Sequence, residues 1–284
     1  MRLLVLGSGG MAGHVITLAL REKGYDVETL SARHSIDLDT YIIDVTDEQK
    51  FNEFLNRRHY DVVINCIGIL IKQSDQRKDR ATYINSFFPQ HLAYRYRETD
   101  TRIIHLSTDC VFSGYNAPYA ENSPLDGQSF YARSKGLGEV VNGKDLTFRM
   151  SIIGPEVQNS GISLFHWFMR QRSGIQGYTN VMWNGITTIQ LAEGIAAAIE
   201  QRLSGLYHLV PSQNISKFNL LCLFREAFNR SHISIEPLAE PRTDKTLINT
   251  RSDFNFQVPT YPEMIEGMRH WIDSHRSLYT YQFY

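Results

Sequence analysis

Cysteine is scarce in this chain of 284 residues. Cys66, Cys110 and Cys222 lie far apart, which excludes a disulfide framework and any paired-cysteine metal spacing. A basic excess is also missing. The formal net charge is -1, so no electrostatic field points to nucleic acid. Apolar runs are all short, and none approaches the roughly 20 residues that span a bilayer. The start lacks the apolar core and small-residue cleavage site of a signal peptide. None of the ten histidines pairs with another at helical spacing, so no zinc site is visible. These absences lead us to expect a soluble cytoplasmic protein with no metal, nucleic-acid or membrane partner.

What is present is a hydrophobic content of 42%, enough for a packed core and against disorder. Leu3 to Leu6 is an apolar run bounded by glycine, the mark of a buried parallel strand. Met11 to Lys23 reads as a helix stopped by Gly24. Further strands are expected at Tyr25 to Leu30, Tyr41 to Val45, Val62 to Cys66, Arg102 to Ser107 and Leu146 to Arg149. Helices are expected at Asp47 to Arg58, Ala81 to Glu98 (kinked or started late by Pro89) and Tyr131 to Val141. Strands alternating with helices predict an α/β fold, a Rossmann-type doubly wound parallel sheet. After Gly154 the rhythm changes. Thr187 to Arg202 and Gly205 to Leu209 suit a return to the sheet, and Lys217 to Asn229 and Tyr261 to His275 read as helices. The expected division is a dinucleotide-binding domain at 1–154 plus about 186–212, with a smaller discontinuous substrate-binding lobe at about 155–185 plus 213–284.

Gly7, Ser8, Gly9, Gly10, Met11, Ala12 and Gly13 form a glycine-rich turn between a strand and a helix. Gly7, Gly9 and Ala12 satisfy the G-x-G-x-x-A spacing, which lets backbone and helix N-terminus approach a pyrophosphate. After the second strand come Ser31, Arg33 and His34 rather than a carboxylate. A hydroxyl and a guanidinium suit a 2′-phosphate, favouring NADPH with NADH as the alternative. Asp44, with Val45, ends the third strand, where its carboxylate suits either an adenine amino group or a helix cap. Cys66, Ile67 and Gly68 follow the fourth strand, and Gly68 lets the chain pass close to a cofactor. Asn65 is read as a tie between neighbouring strands, and His105 as core. Lys72, Arg77 and Lys78 are read as a solvated basic loop.

Tyr131 and Lys135 stand four apart, on one helical face. A free phenol holds its proton with a pKa of about 10. A neighbouring ammonium is expected to loosen it, and a hydroxyl from Thr108 would complete a clamp on a substrate oxygen.

Several motifs together resemble the extended short-chain dehydrogenases/reductases. They are Gly7 to Gly13, Ser107-Thr-Asp-Cys-Val-Phe-Ser-Gly114, Pro118-Tyr-Ala-Glu121, Tyr131-Ala-Arg-Ser-Lys135 with Gly138-Glu139, and Gly205-Leu-Tyr-His-Leu209. Within that group the chain is most similar to dTDP-4-dehydrorhamnose reductase and related sugar-nucleotide reductases. The resemblance implies NADPH-dependent reduction of the C4 ketone of a nucleotide-activated 4-keto-6-deoxysugar. It makes Thr108, Tyr131 and Lys135 the catalytic trio, turns Thr108, Asp109, Cys110 and Ser151 towards substrate, and makes a homodimer an option. Two departures stand out: Cys110 replaces the family's tyrosine, and Arg149-Met-Ser-Ile-Ile-Gly154 lacks its aromatic. A nucleotide-linked ketosugar other than dehydrorhamnose would fit these changes. The competing readings are an epimerase with tightly held NAD and a non-catalytic nucleotide-binding regulatory subunit.

Overall fold

The structure is a computed structural model and describes residues 1–281. Strand β1 (Arg2–Leu6) leads through the glycine turn to α1 (Met11–Glu22) and then β2 (Asp26–Ser31). A short β3 (Tyr41–Ile42), α2 (Glu48–Asn56) and β4 (Val62–Asn65) follow. Next come α3 (Ile71–Gln76), α4 (Lys78–Ala81), a π-helical segment (Thr82–Phe87) and α5 (Phe88–Arg95). Strand β5 (Arg102–Thr108), α6 (Phe130–Leu137) and β6 (Leu146–Met150) complete the first half.

The second half begins with β7 (Ile152–Ile153), α7 (Leu164–Met169), β8 (Ile175–Tyr178), β9 (Val181–Trp183) and β10 (Ile186–Thr187). It continues through α8 (Thr188–Glu200), β11 (Gly205–His208), β12 (Ile215–Ser216) and α9 (Lys217–Ala227). It closes with β13 (Ile235–Leu238), β14 (Thr243–Asp244) and α10 (Tyr261–Ser274).

Seven strands form one parallel sheet in the order β11-β6-β5-β4-β1-β2-β3. This is the expected doubly wound Rossmann sheet, and β11 does return to its edge. In β1, Leu3 and Val5 enter one core with α1 and α8, whereas Leu4 and Leu6 enter the other with α2 and α5. A strand buried on both faces must be apolar at every position, hence its continuous apolar run. The order reverses between β1 and β4, where the strands' carboxyl ends leave a crevice for ligands.

The remaining strands are short. β8 pairs with β13, β9 lies between β12 and β14, and β10 pairs with β7. Phe165 and Phe168 of α7 pack on Phe224 of α9. Among the described residues no helix is long and apolar enough to cross a membrane.

Three elements differ from expectation. The third strand stops at Ile42, because the chain turns there towards Asp44 and Thr46. The helix expected over 81–98 is broken. Pro89 sits in the first turn of α5 and cannot donate a backbone bond, so the preceding turn widens into the π segment. Helix α6 ends at Leu137, where Gly138 is the C-cap. A Cβ at Gly138 would collide with the Asn85 carbonyl, so this close approach of α6 to the π segment requires glycine.

Candidate active site

The glycine turn is closed by its own backbone. Gly7 has a φ of +83°, and its carbonyl accepts from Gly10 N–H at 3.0 Å. Gly7 and Ser8 both donate to the Leu30 carbonyl, tying the turn to the end of β2. A Cβ at Gly13 would strike the Gly7 carbonyl, and one at Gly9 would lie 2.6 Å from the His34 carbonyl. Gly10, the N-cap of α1, is exposed and uses no side chain to cap the helix. The first-turn N–H groups of Met11, Ala12 and Gly13 therefore have no intrahelical acceptor and suit an anion.

The loop after β2 sits against this turn. Ser31 is buried beside Gly9, whereas Arg33 and His34 are exposed. Glu28 lies within β2 and binds Arg2, Arg58 and Tyr60 outside the crevice. Asp44 does not cap α2, a task taken by Asp47. It accepts from Thr46 N–H at 3.0 Å and from Arg80 at 2.6 Å, while Val45 is buried behind it. Gly68 has space beside it, with Asn85 Oδ1 the nearest atom at 3.8 Å. Burial pushes the Cys66 thiol up to about 12, so it stays protonated at neutral pH. Lys72 and Lys78 lie on short exposed helices rather than a loop, and Arg77, at the junction between those helices, pairs with Asp79.

At the end of β5, Thr108 caps a short turn. Its Oγ1 accepts from Cys110 N–H and donates to Asp109, both at 3.1 Å. Tyr131 and Lys135 of α6 are both buried. Burial drives the Tyr131 phenol well above its usual value, with Cys110 and Asp109 acting in the same sense and Thr108 opposing. A loosened phenol was expected beside Lys135. Instead desolvation dominates, and the Lys135 ammonium is engaged elsewhere. It donates to the Leu106 carbonyl at 2.7 Å and lies 3.3 Å from His105 Nε2. Burial lowers Lys135 to about 8. A phenol that keeps its proton is equipped to act as an acid.

Asn65 bridges strands as expected, because it stands opposite His105 across β4 and β5. His105 is not mere core, since it touches Lys135. On the other side of Thr108, burial raises the Asp109 carboxyl, and burial with Asp109 pushes the Cys110 thiol to about 12. Lys217, at the start of α9, lies over the Trp183 ring at 4.5 Å and is lowered to about 8 by burial, with Asp109 opposing. Trp183 Nε1 donates to Ser151 Oγ at 2.8 Å. An aromatic ring thus reaches the segment after Arg149 from β9 rather than from the local sequence. Lys217 and Trp183 had no motif to announce them.

Behind the corner lies a second cluster. Arg149 and Glu139 form a buried pair at 2.6 and 2.8 Å, their side chains only 2% and 6% exposed. Ser107 donates to Glu139 at 2.7 Å, and Arg149 touches His208 Nε2 at 2.9 Å. Glu121 accepts from the His208 backbone N–H at 3.1 Å. Tyr119 accepts from Gly114 and Asn116 N–H groups, so the Pro118 to Glu121 motif organises the loop beside this cluster.

A match to the RmlD substrate binding domain covers residues 1–247. The chain belongs to the RmlD substrate binding domain family. A dTDP-4-dehydrorhamnose reductase of Mycobacterium tuberculosis is 33% identical over 144 residues, which is 49% of this chain and 44% of that protein. A dTDP-4-keto-6-deoxy-D-glucose reductase of Streptomyces niveus is 26% identical over 214 residues, 73% of this chain and 72% of that protein. Matches to the first of the curated relatives span about half their length. The fold is shared with the dTDP-4-dehydrorhamnose reductase of Bacillus anthracis, solved in complex with NADP. Its TM-score is 0.81 at 18% identity, covering 96% of this chain and 99% of that one.

Proposed function

We propose that this chain is an NADPH-dependent reductase acting on the C4 ketone of a nucleotide-activated 4-keto-6-deoxysugar. The observation that carries the reading is the meeting of Thr108, a buried and protonated Tyr131, and Lys135 at the carboxyl end of β5, in a sheet whose glycine turn offers free helix N–H groups. Family membership and the reductases among the relatives support it.

The residues present fit the cofactor. Gly7 to Gly13 would hold the pyrophosphate, Ser31, Arg33 and His34 the 2′-phosphate, and Asp44 and Val45 the adenine. Cys66, Ile67 and Gly68 would flank the nicotinamide, which supplies hydride when bound. Tyr131 donates its proton to the ketone oxygen, and Thr108 holds that oxygen in place. Lys135 orients the ribose and stabilises the phenolate left by proton transfer. Asp109, Cys110, Ser151, Trp183 and Lys217 would line the sugar side. The cofactor domain would comprise 1–154 and about 186–212, with the rest forming the substrate lobe.

Purified protein should oxidise NADPH only when a dTDP-linked 4-keto-6-deoxysugar is supplied. Silence across a panel of such sugars would sink this reading. The same reading expects a homodimer in the cytoplasm, which sedimentation equilibrium and cell fractionation test.

A further inference from the structure

The hydrogen bonds around Asn65 fix more than strand spacing. Ile67 N–H donates to Asn65 Oδ1 at 3.1 Å, which sets the side-chain amide. Its Nδ2, a donor only, then faces His105 Nδ1 at 3.1 Å. Nδ1 must accept, so the imidazole carries its proton on Nε2. Flipping the amide would set its NH2 against the Ile67 N–H, donor against donor, and forfeit that bond. Burial and the Lys135 charge hold the ring's pKa well below the usual histidine value, so it stays neutral. Nε2 lies 3.3 Å from Lys135 Nζ.

We propose that His105 is a positioning residue for Lys135: locked by Asn65 in the Nε2–H tautomer, it presents an N–H, not a lone pair, to the lysine nitrogen. An ammonium facing another donor gains nothing from it, whereas a neutral amine can accept from it. His105 therefore favours the uncharged lysine, in the same sense as burial. The groups that face Lys135 are few. His105 and the Leu106 carbonyl come from β5, Cys66 follows β4, and Glu139 comes from the turn beyond α6. Glu139 favours the charged lysine, but Arg149 and Ser107 occupy its oxygens. Asn65 and His105 are both buried, and the chain of bonds ends at the Ile67 amide. It does not conduct protons. It sets how tightly Lys135 holds one.

The inference uses the Lys135 role assigned above, but its test needs no turnover. Two-bond ¹H–¹⁵N spectra of the native protein should show His105 protonated on Nε2 and bare on Nδ1. A proton on Nδ1 overturns the inference without any substitution. His105→Gln, which can turn a carbonyl oxygen to the lysine, should raise the Lys135 titration, followed by ¹³C-lysine NMR, by about one pH unit. His105→Asn serves the same purpose if the glutamine variant does not fold. A folded variant with an unmoved Lys135 titration also overturns it. Where ketone reduction is measurable, the alkaline limb of the kcat profile should move up with that titration, whereas a purely structural role would lower kcat at every pH. If tautomer and shift are as expected and no ketosugar is reduced, the assigned reaction fails and this inference stands.

Discussion

Two buried polar clusters share β5 and the stretch from α6 to the turn beyond it, and they treat charge in opposite ways. Around Arg149, two carboxylate oxygens of Glu139 meet the guanidinium, and Ser107 and His208 complete the shell. Around Lys135, among the described residues, the ammonium contacts a carbonyl and the His105 ring, with no carboxylate in contact. Tyr131 and Lys135 stand four apart on α6 and Glu139 follows just beyond its C-cap, so one helix and its exit serve both clusters. A buried charge with full compensation is a fixed part of the scaffold. One held with partial compensation titrates near neutrality and is available for chemistry. The difference teaches that burial alone does not mark a functional group. What its partners leave unmet does.

The comparison predicts separable losses. Tyr131→Phe should lower kcat by about 10²–10⁴-fold and leave the denaturant midpoint close to native. Steady-state kinetics beside urea unfolding check both halves. Glu139→Gln should do the reverse first. It strips Arg149 of its counter-charge in a dry site, for a loss of about 3–5 kcal/mol of stability. If that variant unfolds no more easily than the parent, the scaffold role of the pair is wrong. Lys217→Met should keep the fold and kcat but raise KM for the sugar nucleotide about tenfold, the equivalent of about 1.4 kcal/mol. An unchanged KM would remove Lys217 from the substrate side.

A further effect concerns acid. Burial holds His14 at about 4, below its ordinary 6.5, with its ring between the Gly10 carbonyl and the Tyr279 hydroxyl. Burial lowers His208 and His105 as well. The unfolded chain then binds more protons than the folded one below pH 6.5. Stability is complete above that value and lost as pH falls towards 4, by about 1.4 kcal/mol per pH unit for each such proton. His14→Gln should flatten the slope of unfolding free energy against pH over that window.

Much of the sheet was legible because β1, β4 and β5 are buried on both faces, and such strands are written as mostly apolar runs, broken in β5 by His105. Helix ends were less so. Gly138 reads in sequence as a mild disfavour within a helix, but its necessity comes from the Asn85 carbonyl beside it, distant in the chain. Thr108, Tyr131 and Lys135 could be picked out because local spacing and family motifs mark them. His105 could not, because a polar residue in an apolar strand declares itself only when register sets Asn65 opposite and α6 above it. Lys217 and Trp183 come from α9 and β9, and nothing in either segment points to the other. The departure after Arg149 was visible, but the indole that hydrogen-bonds Ser151 was not.

The contact between Gly9 and the His34 carbonyl has a practical bearing on redesign. The loop that would choose between the two nicotinamide dinucleotides is wedged against the turn that would grip either of them. Swapping Ser31 or Arg33 alone leaves that wedge intact. Lengthening the loop, or adding even a methyl at position 9, would instead pry open the shared grip, so a switch of coenzyme preference is best sought through side-chain exchange at fixed loop length.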